Sequence, residues 1–124
     1  MRNTKKTTRK TDAGNNAPPP VTWETVRDIA AALSGAVEGT SYGTPAFFVR
    51  KKLFARFHQS GECVVILVPI AEREALMQAD SGTLYITDHY LNYPYMLVRL
   101  ATVRQEDLRG LIEESWRRAG GAKE

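Results

Sequence analysis

The chain has 124 residues, 43% hydrophobic and 25% charged, which is the size and balance of one globular domain plus a tail and excludes a collagen-like or wholly disordered protein. Its longest apolar run, Cys63–Pro69 continued by Ile70 and Ala71, falls far short of the roughly 20 residues a membrane helix needs, and its single cysteine allows no intrachain disulfide and no zinc cluster. The formal charge of +3 sits in the first 20 residues, where five basic groups face Asp12 alone; the remaining twelve basic and thirteen acidic groups leave the body at −1, so any case for polyanion binding rests on local patches.

Residues 1–20 carry Arg2, Lys5, Lys6, Arg9 and Lys10, end in Pro18-Pro19-Pro20, and have no large apolar residue after Met1. Such a segment cannot bury enough surface to offset its ordering entropy, and it reads as a disordered basic tail without the apolar core of a secretory signal. As a functional element it would add salt-sensitive attraction to phosphate. As a bland one it is a solubilising extension or a misassigned start. Residues 21–119 form the single domain, and 120–124 a short C-terminal tail.

Thr22 is placed to cap a first helix, with Val21 and Val26 at the spacing of a hydrophobic staple. Trp23, Val26, Ile29, Ala30 and Leu33 recur at helical spacing, and Gly35 marks the stop. Ala36–Pro45, rich in Gly, Thr and Ser, reads as a structured loop. Ala46–Val49 and Leu53–Phe57 read as two strands around Arg50-Lys51-Lys52, and Cys63–Val68 as a third strand, apolar at nearly every position. A strand apolar on both sides is central, or covered on its second face by a partner.

Ala71–Ala79 is expected to be a helix with Ala71, Ala75, Leu76 and Ala79 inward, and Thr83–Thr87 a strand. Asp88–Tyr93 reads as one helical turn capped by Thr87 and stopped by Pro94. Tyr95–Ala101 alternates as a strand, with Met96, Val98 and Leu100 on one face. Glu106–Arg118 closes as a helix with Leu108, Leu111, Ile112, Ser115 and Trp116 inward. The order α-β-β-β-α-β-β-α, with short turns between strands, predicts an α+β two-layer domain: an antiparallel sheet with helices packed on it.

Gly39-Thr40-Ser41-Tyr42-Gly43-Thr44-Pro45-Ala46-Phe47, Lys52–Arg56, Tyr85–Tyr90, Tyr93-Pro94, Leu97–Leu100 and Leu108–Trp116 together resemble the MmcQ/YjbR family, over about residues 23–118. The resemblance implies a small bacterial α-β-β-β-α-β-β-α domain of YjbR-like architecture; separately, an antiparallel sheet with one uncovered apolar face is similar, by fold-level analogy, to secretion-chaperone-like folds, and a cytoplasmic location is expected. Members are usually labelled DNA-binding for a winged-hairpin look, and no established catalytic activity comes with the name. Family members often carry glycine just before the hairpin lysine, where this chain has Lys51. That leaves its turn strained, longer, or of another type.

From Ala46 to Ser60 there are four Lys/Arg and no acidic residue. Arg50, Lys51, Lys52, Arg56 and His58 form the densest basic patch of the body, interleaved with phenylalanines. On a protruding hairpin these groups suit nonspecific, salt-sensitive contact with the phosphates of double-stranded DNA. The bland reading is lysines that protect an edge hairpin over a phenylalanine core. Tyr42, His89 and Arg99 are candidates for a groove or anion site, with ion pairing to a carboxylate such as Glu113 the ordinary fate of Arg99.

No catalytic residue is assigned. Asp88 and His89 are adjacent and point apart, Cys63 lies inside an apolar strand, and no nucleophile elbow is present. His58 and His89 lack metal-ligand spacing, and the glycines at 35, 39 and 43 lack a following Gly-Lys-Ser/Thr, so no metal and no cofactor is expected. The leading expectation is a non-enzymatic DNA-binding accessory protein. Its alternative is a protein- or peptide-binding module, or a homodimer, using the apolar face of the sheet. A small-molecule or enzymatic role in the groove ranks third.

Overall fold

In the first helix, α1 (Trp23–Ala31), Trp23, Val26, Ile29 and Ala30 are buried along one stripe, as their spacing dictates. The computed structural model describes residues 19–122; the segment read as a basic tail lies, over residues 1–18, outside the described residues. After α1 come β1 (Val37–Ser41), β2 (Thr44–Val49), β3 (Lys52–Phe57) and β4 (Cys63–Leu67). Then follow α2 (Ile70–Ala79), β5 (Leu84–Tyr85), a 3-10 turn (Asp88–Tyr90), β6 (Tyr95–Arg99) and α3 (Gln105–Arg118). The strands form one six-stranded sheet in the order β1-β2-β3-β4-β6-β5, antiparallel at every pairing.

The α+β class and the two-layer plan are as the sequence implies, with one strand more than expected. The segment read as a loop is the edge strand β1, paired to β2 from Val37–Phe48 to Ser41–Thr44. Its composition hid it: a half-exposed edge strand needs few apolar residues, and Gly39 and Thr40 are poor strand signals.

The main core lies between the sheet and the helices α1 and α3, and includes Phe47, Phe54, Ile66, Met96, Leu108, Ile112 and Trp116. Ser115 is the polar rivet of this layer. Its hydroxyl donates to the Phe54 carbonyl at 2.6 Å and accepts from the Leu67 amide at 2.9 Å, joining α3 to β3 and β4. Trp116 Nε1 donates to the Ser34 carbonyl at 2.8 Å, fixing the turn that follows α1.

Both leading hairpins close through two-residue turns with positive φ at both positions: Tyr42 and Gly43 (54° and 77°), then Arg50 and Lys51 (51° and 67°). This is the type I′ arrangement that matches strand twist. Lys51 therefore keeps the tight turn and carries its strain, as do Arg50 and Tyr42, since a side chain disfavours this region.

A bulge in β3 decides what reaches the second face of the sheet. Phe47 pairs with Ala55 but Phe48 pairs with Leu53, so Phe54 is the extra residue. Phe54 and Ala55 both join the helix-side core, and Leu53 and Arg56 are re-aimed to the other side. There the register runs Gly39, Ala46, Arg56, Val65, Leu97, Tyr85 across the sheet. Ala46, the neighbour of Arg56 on β2, is small and leaves room beside its side chain.

The double-sided burial of β4 has an internal cause. Cys63, Val65 and Leu97 are covered by Tyr90, with Tyr85, Ile86 and Tyr95 packed alongside. The chain's own 85–95 segment is the cover, which corrects the expectation of an open apolar sheet face awaiting a partner.

That segment is latched by Arg73, which corrects the expected inner face of α2. Ala71 and Ala75 are exposed and Arg73 is the helix's buried residue, at 3% exposure. Its guanidinium donates to the carbonyls of Leu91 at 2.7 Å, Tyr93 at 2.5 Å and Tyr95 at 2.8 Å. Three acceptors converge on one planar fork, which repays the burial of the charge.

Candidate functional site

The sequence pointed to two separate sets of residues, and the structure recombines them. Arg56 and His58 of the hairpin patch line one cavity together with Tyr42 and His89 of the expected groove. Its volume is about 400 Å³, and an adjoining lobe of about 290 Å³ extends past Leu53, Tyr93 and Tyr95. Among the described residues no carboxylate lines either lobe.

Arg56 lies at the floor, 2% exposed. Its Nη1 donates to Thr44 Oγ1 at 3.0 Å and, at the long distance of 3.5 Å, to the Phe57 carbonyl. Nη2 donates to the Tyr90 hydroxyl at 2.7 Å, and both nitrogens reach Gln59 Oε1 at 3.3 Å. Among the described residues Arg56 enters no ion pair. Its partners are all neutral, so the buried positive charge is solvated without being neutralised.

Aromatic rings form the rim. Tyr42, 78% exposed, holds its ring 5.1 Å from the Arg56 guanidinium carbon, and its left-handed backbone conformation delivers it there. The exposed His89 ring meets Tyr42 edge-on at 6.3 Å and Tyr93 in a stacked arrangement at 6.1 Å. It also packs edge-on against Tyr90 at 4.7 Å. The Tyr95 hydroxyl donates to the Leu53 carbonyl at 3.2 Å, securing the wall, and burial raises its pKa above the usual tyrosine value.

His58 is held below the ordinary imidazole value, first by burial, then by the charges of Arg56 and His89. Its Nδ1 accepts from the Ser60 amide at 3.3 Å and contacts Ser60 Oγ at 2.9 Å. Ser60 Oγ accepts from the Glu62 amide, and because Nδ1 is already an acceptor of the Ser60 amide, the Ser60 hydroxyl meets it as a donor. The neutral ring then carries its proton on Nε2.

The remaining candidates lie elsewhere. Lys51 and Lys52 are exposed at the β2–β3 turn. Arg50 beside them donates from Nε to the Gly120 carbonyl at 3.0 Å, tying the hairpin to the chain after α3. Arg99 is absent from the lining of both lobes. It lies over the Tyr85 ring at 4.5 Å and donates to the Gly82 carbonyl. Tyr85 in turn meets Cys63 Sγ at 2.7 Å, and burial, helped by that contact, pushes its pKa up to about 12.

Thr87, expected to cap the turn, makes no side-chain cap bond. Its carbonyl accepts from the Tyr90 amide at 2.9 Å. Gln59 and Arg73 carry no functional signal in the sequence, and Tyr93 enters there only among the residues that resemble the family. The Tyr-Gly pair at 42–43, a two-residue hairpin signal, is the one cue that could have placed Tyr42 at a turn tip.

Among the described residues no three His, Cys, Asp or Glu side chains group as metal ligands, and no helix is long and apolar enough to cross a membrane.

Fold and groove together define a small α+β protein with a basic, aromatic-rimmed cavity on the sheet face opposite its helices. The YjbR family model matches residues 31–118, and the chain belongs to the YjbR family. It is similar to the uncharacterized protein Mb2600 of Mycobacterium bovis, 43% identical over 42 residues, 34% of this chain and 33% of that protein. The same figures hold for the uncharacterized protein Rv2570 of Mycobacterium tuberculosis. The matched part of the chain thus spans about a third of the length of these relatives. The crystal structure of Deinococcus radiodurans protein DR2400, with its DUF419 domain, superposes with a TM-score of 0.67 at 22% identity. That match covers 80% of this chain and 78% of the other, and extends the likeness to the fold.

Proposed function

We propose that the protein is a non-enzymatic nucleic-acid-binding accessory protein of the bacterial cytoplasm, which receives a single-stranded segment in the groove above Arg56. The observation that carries this reading is the lining of that groove: one buried arginine, two imidazoles and exposed tyrosine rings, with no carboxylate. Unstacked bases bind aromatic side chains at about 1–3 kcal/mol each, and a positive groove holds the backbone. Duplex DNA hides its base faces, so Tyr42 and Tyr93, 78% and 56% exposed, favour a single strand over the duplex expected from the hairpin. Lys51 and Lys52 supply flanking phosphate contacts. The hairpin alone is a weaker platform, because Arg50 is engaged with Gly120 and Arg56 is buried.

Fluorescence anisotropy of a labelled oligo-deoxythymidine against the full chain, at low and raised salt, tests the reading. Binding that weakens with salt is expected. Tyr42→Ala with Tyr93→Ala should weaken it about tenfold or more, and Lys51→Glu with Lys52→Glu should lower the salt dependence. Absence of binding at low salt, or binding indifferent to both pairs of substitutions, overturns it.

A further inference from the structure

We propose that the floor of the groove is a site for a terminal phosphate monoester, which takes the place of the Gln59 side chain on the Arg56 guanidinium. The proposal sharpens the nucleic-acid reading and rests on it for the source of the phosphate.

Depth is the first argument. Arg56 is 2% exposed beneath Tyr42 and Gln59. A phosphodiester inside a strand carries a nucleotide on each side and cannot descend to such a floor. The end of a strand, or a single nucleotide, can. The lobes of about 400 and 290 Å³ are in the range of small-ligand sites.

The second argument is the fork. Nη1 and Nη2 both converge on the single neutral oxygen of Gln59, each at 3.3 Å, long for a guanidinium bond. A phosphate presents two anionic oxygens to the same pair of nitrogens at about 2.7–2.9 Å. Gln59 is exposed, in the turn between β3 and β4, so its side chain can swing out to solvent.

Third, further donors converge on the cavity. The Tyr90 hydroxyl accepts from Arg56 at 2.7 Å, which leaves its own hydrogen to give. The His58 proton sits on Nε2, because Ser60 engages Nδ1. Among the described residues the lining offers no carboxylate to repel a doubly charged group. Above, Tyr42, His89 and Tyr93 are ranged as walls for a flat ring.

Two titrations of the full chain decide. Anisotropy compares oligo-deoxythymidine with a 5′-phosphate, a 3′-phosphate or hydroxyl ends. Calorimetry compares thymidine monophosphate, thymidine and inorganic phosphate. One phosphorylated end should bind about tenfold tighter than the hydroxyl end, the value of a charge-assisted pair over a neutral one. Thymidine monophosphate should bind where thymidine does not.

Gln59→Glu, at an exposed position, should erase the preference by pairing internally with Arg56, whereas Gln59→Ala should keep or raise it. Arg56→Lys, which keeps the charge and loses the fork, should also erase it. Equal binding of phosphorylated and hydroxyl ends overturns the phosphate site and leaves the nucleic-acid reading standing. Binding of thymidine monophosphate but of no oligonucleotide overturns the nucleic-acid source and leaves the site. Binding of neither, or a preference that survives Gln59→Glu, overturns the proposal.

Discussion

The guanidinium of Arg56 and the hydroxyl of Tyr90 lie 2.7 Å apart across 34 positions of sequence. The bond joins the hairpin half of the domain to the segment that covers the far face of the sheet. It also makes Tyr90 two things at once, a buried core residue and a wall of the groove. Both the cover and the charge beneath it depend on residues outside the site.

Arg73 is the first of these. Replacing it with Met removes the donor to three carbonyls at positions 91, 93 and 95. A loss of about 3 kcal/mol in stability is expected, measured by denaturant unfolding. Hydrogen exchange should speed up over residues 88–95, and oligonucleotide affinity should fall with it. Arg73→Lys should restore little, because one ammonium cannot span three acceptors in a plane.

Ser115 supports the helix-side layer. Ser115→Ala leaves the Leu67 amide and the Phe54 carbonyl each without the hydroxyl that now serves them, in a fully buried place. A destabilisation of about 2–3 kcal/mol is expected in chemical denaturation. Ser115→Thr tests volume against hydrogen bonding.

Lys51 holds φ at 67° without being glycine. Lys51→Gly should raise stability by up to about 1 kcal/mol, since relief of left-handed strain exceeds the added freedom of the unfolded chain. A thermal melt reads this directly. A fall in melting temperature would mean that the lysine side chain contributes more than its backbone costs.

His58 gives a pH signature. Its folded value is depressed below 6.5 by burial, then by Arg56 and His89, so the unfolded chain binds that proton more readily. Stability from this group is whole above pH 6.5 and is lost as pH falls from there through the folded value. Melting temperatures from about pH 8 to about pH 5 should show that decline, and His58→Gln should flatten this part of it. A chemical-shift titration of the imidazole gives the value itself, which bound phosphate should raise.

The local elements of the chain can be placed from near-neighbour patterns alone. The stripe Leu108, Ile112, Ser115, Trp116 marks α3, the alternation of Met96, Val98 and Leu100 marks β6, and the two-sided apolar run at Cys63 marks a strand covered on both faces. Such patterns are legible because helical and strand periodicity are properties of near neighbours. The antiparallel two-layer plan follows from them and from the short turns.

Which basic residues share a site is set by long-range pairing. Chain proximity groups Arg56 with Lys51 and Lys52 on the hairpin, yet the extra residue Phe54 re-aims it to the groove face. The face a strand residue occupies is set by pairing register with another strand, and one bulge reverses it for everything beyond. The same holds for Arg73, which lies inward because three carbonyls 18 to 22 positions away, the last at the start of β6, converge on it. It holds too for Arg99, drawn to Tyr85 by the pairing of β5 with β6. Charge places a side chain at no depth of its own accord; its partners do, and here they come from distant parts of the chain.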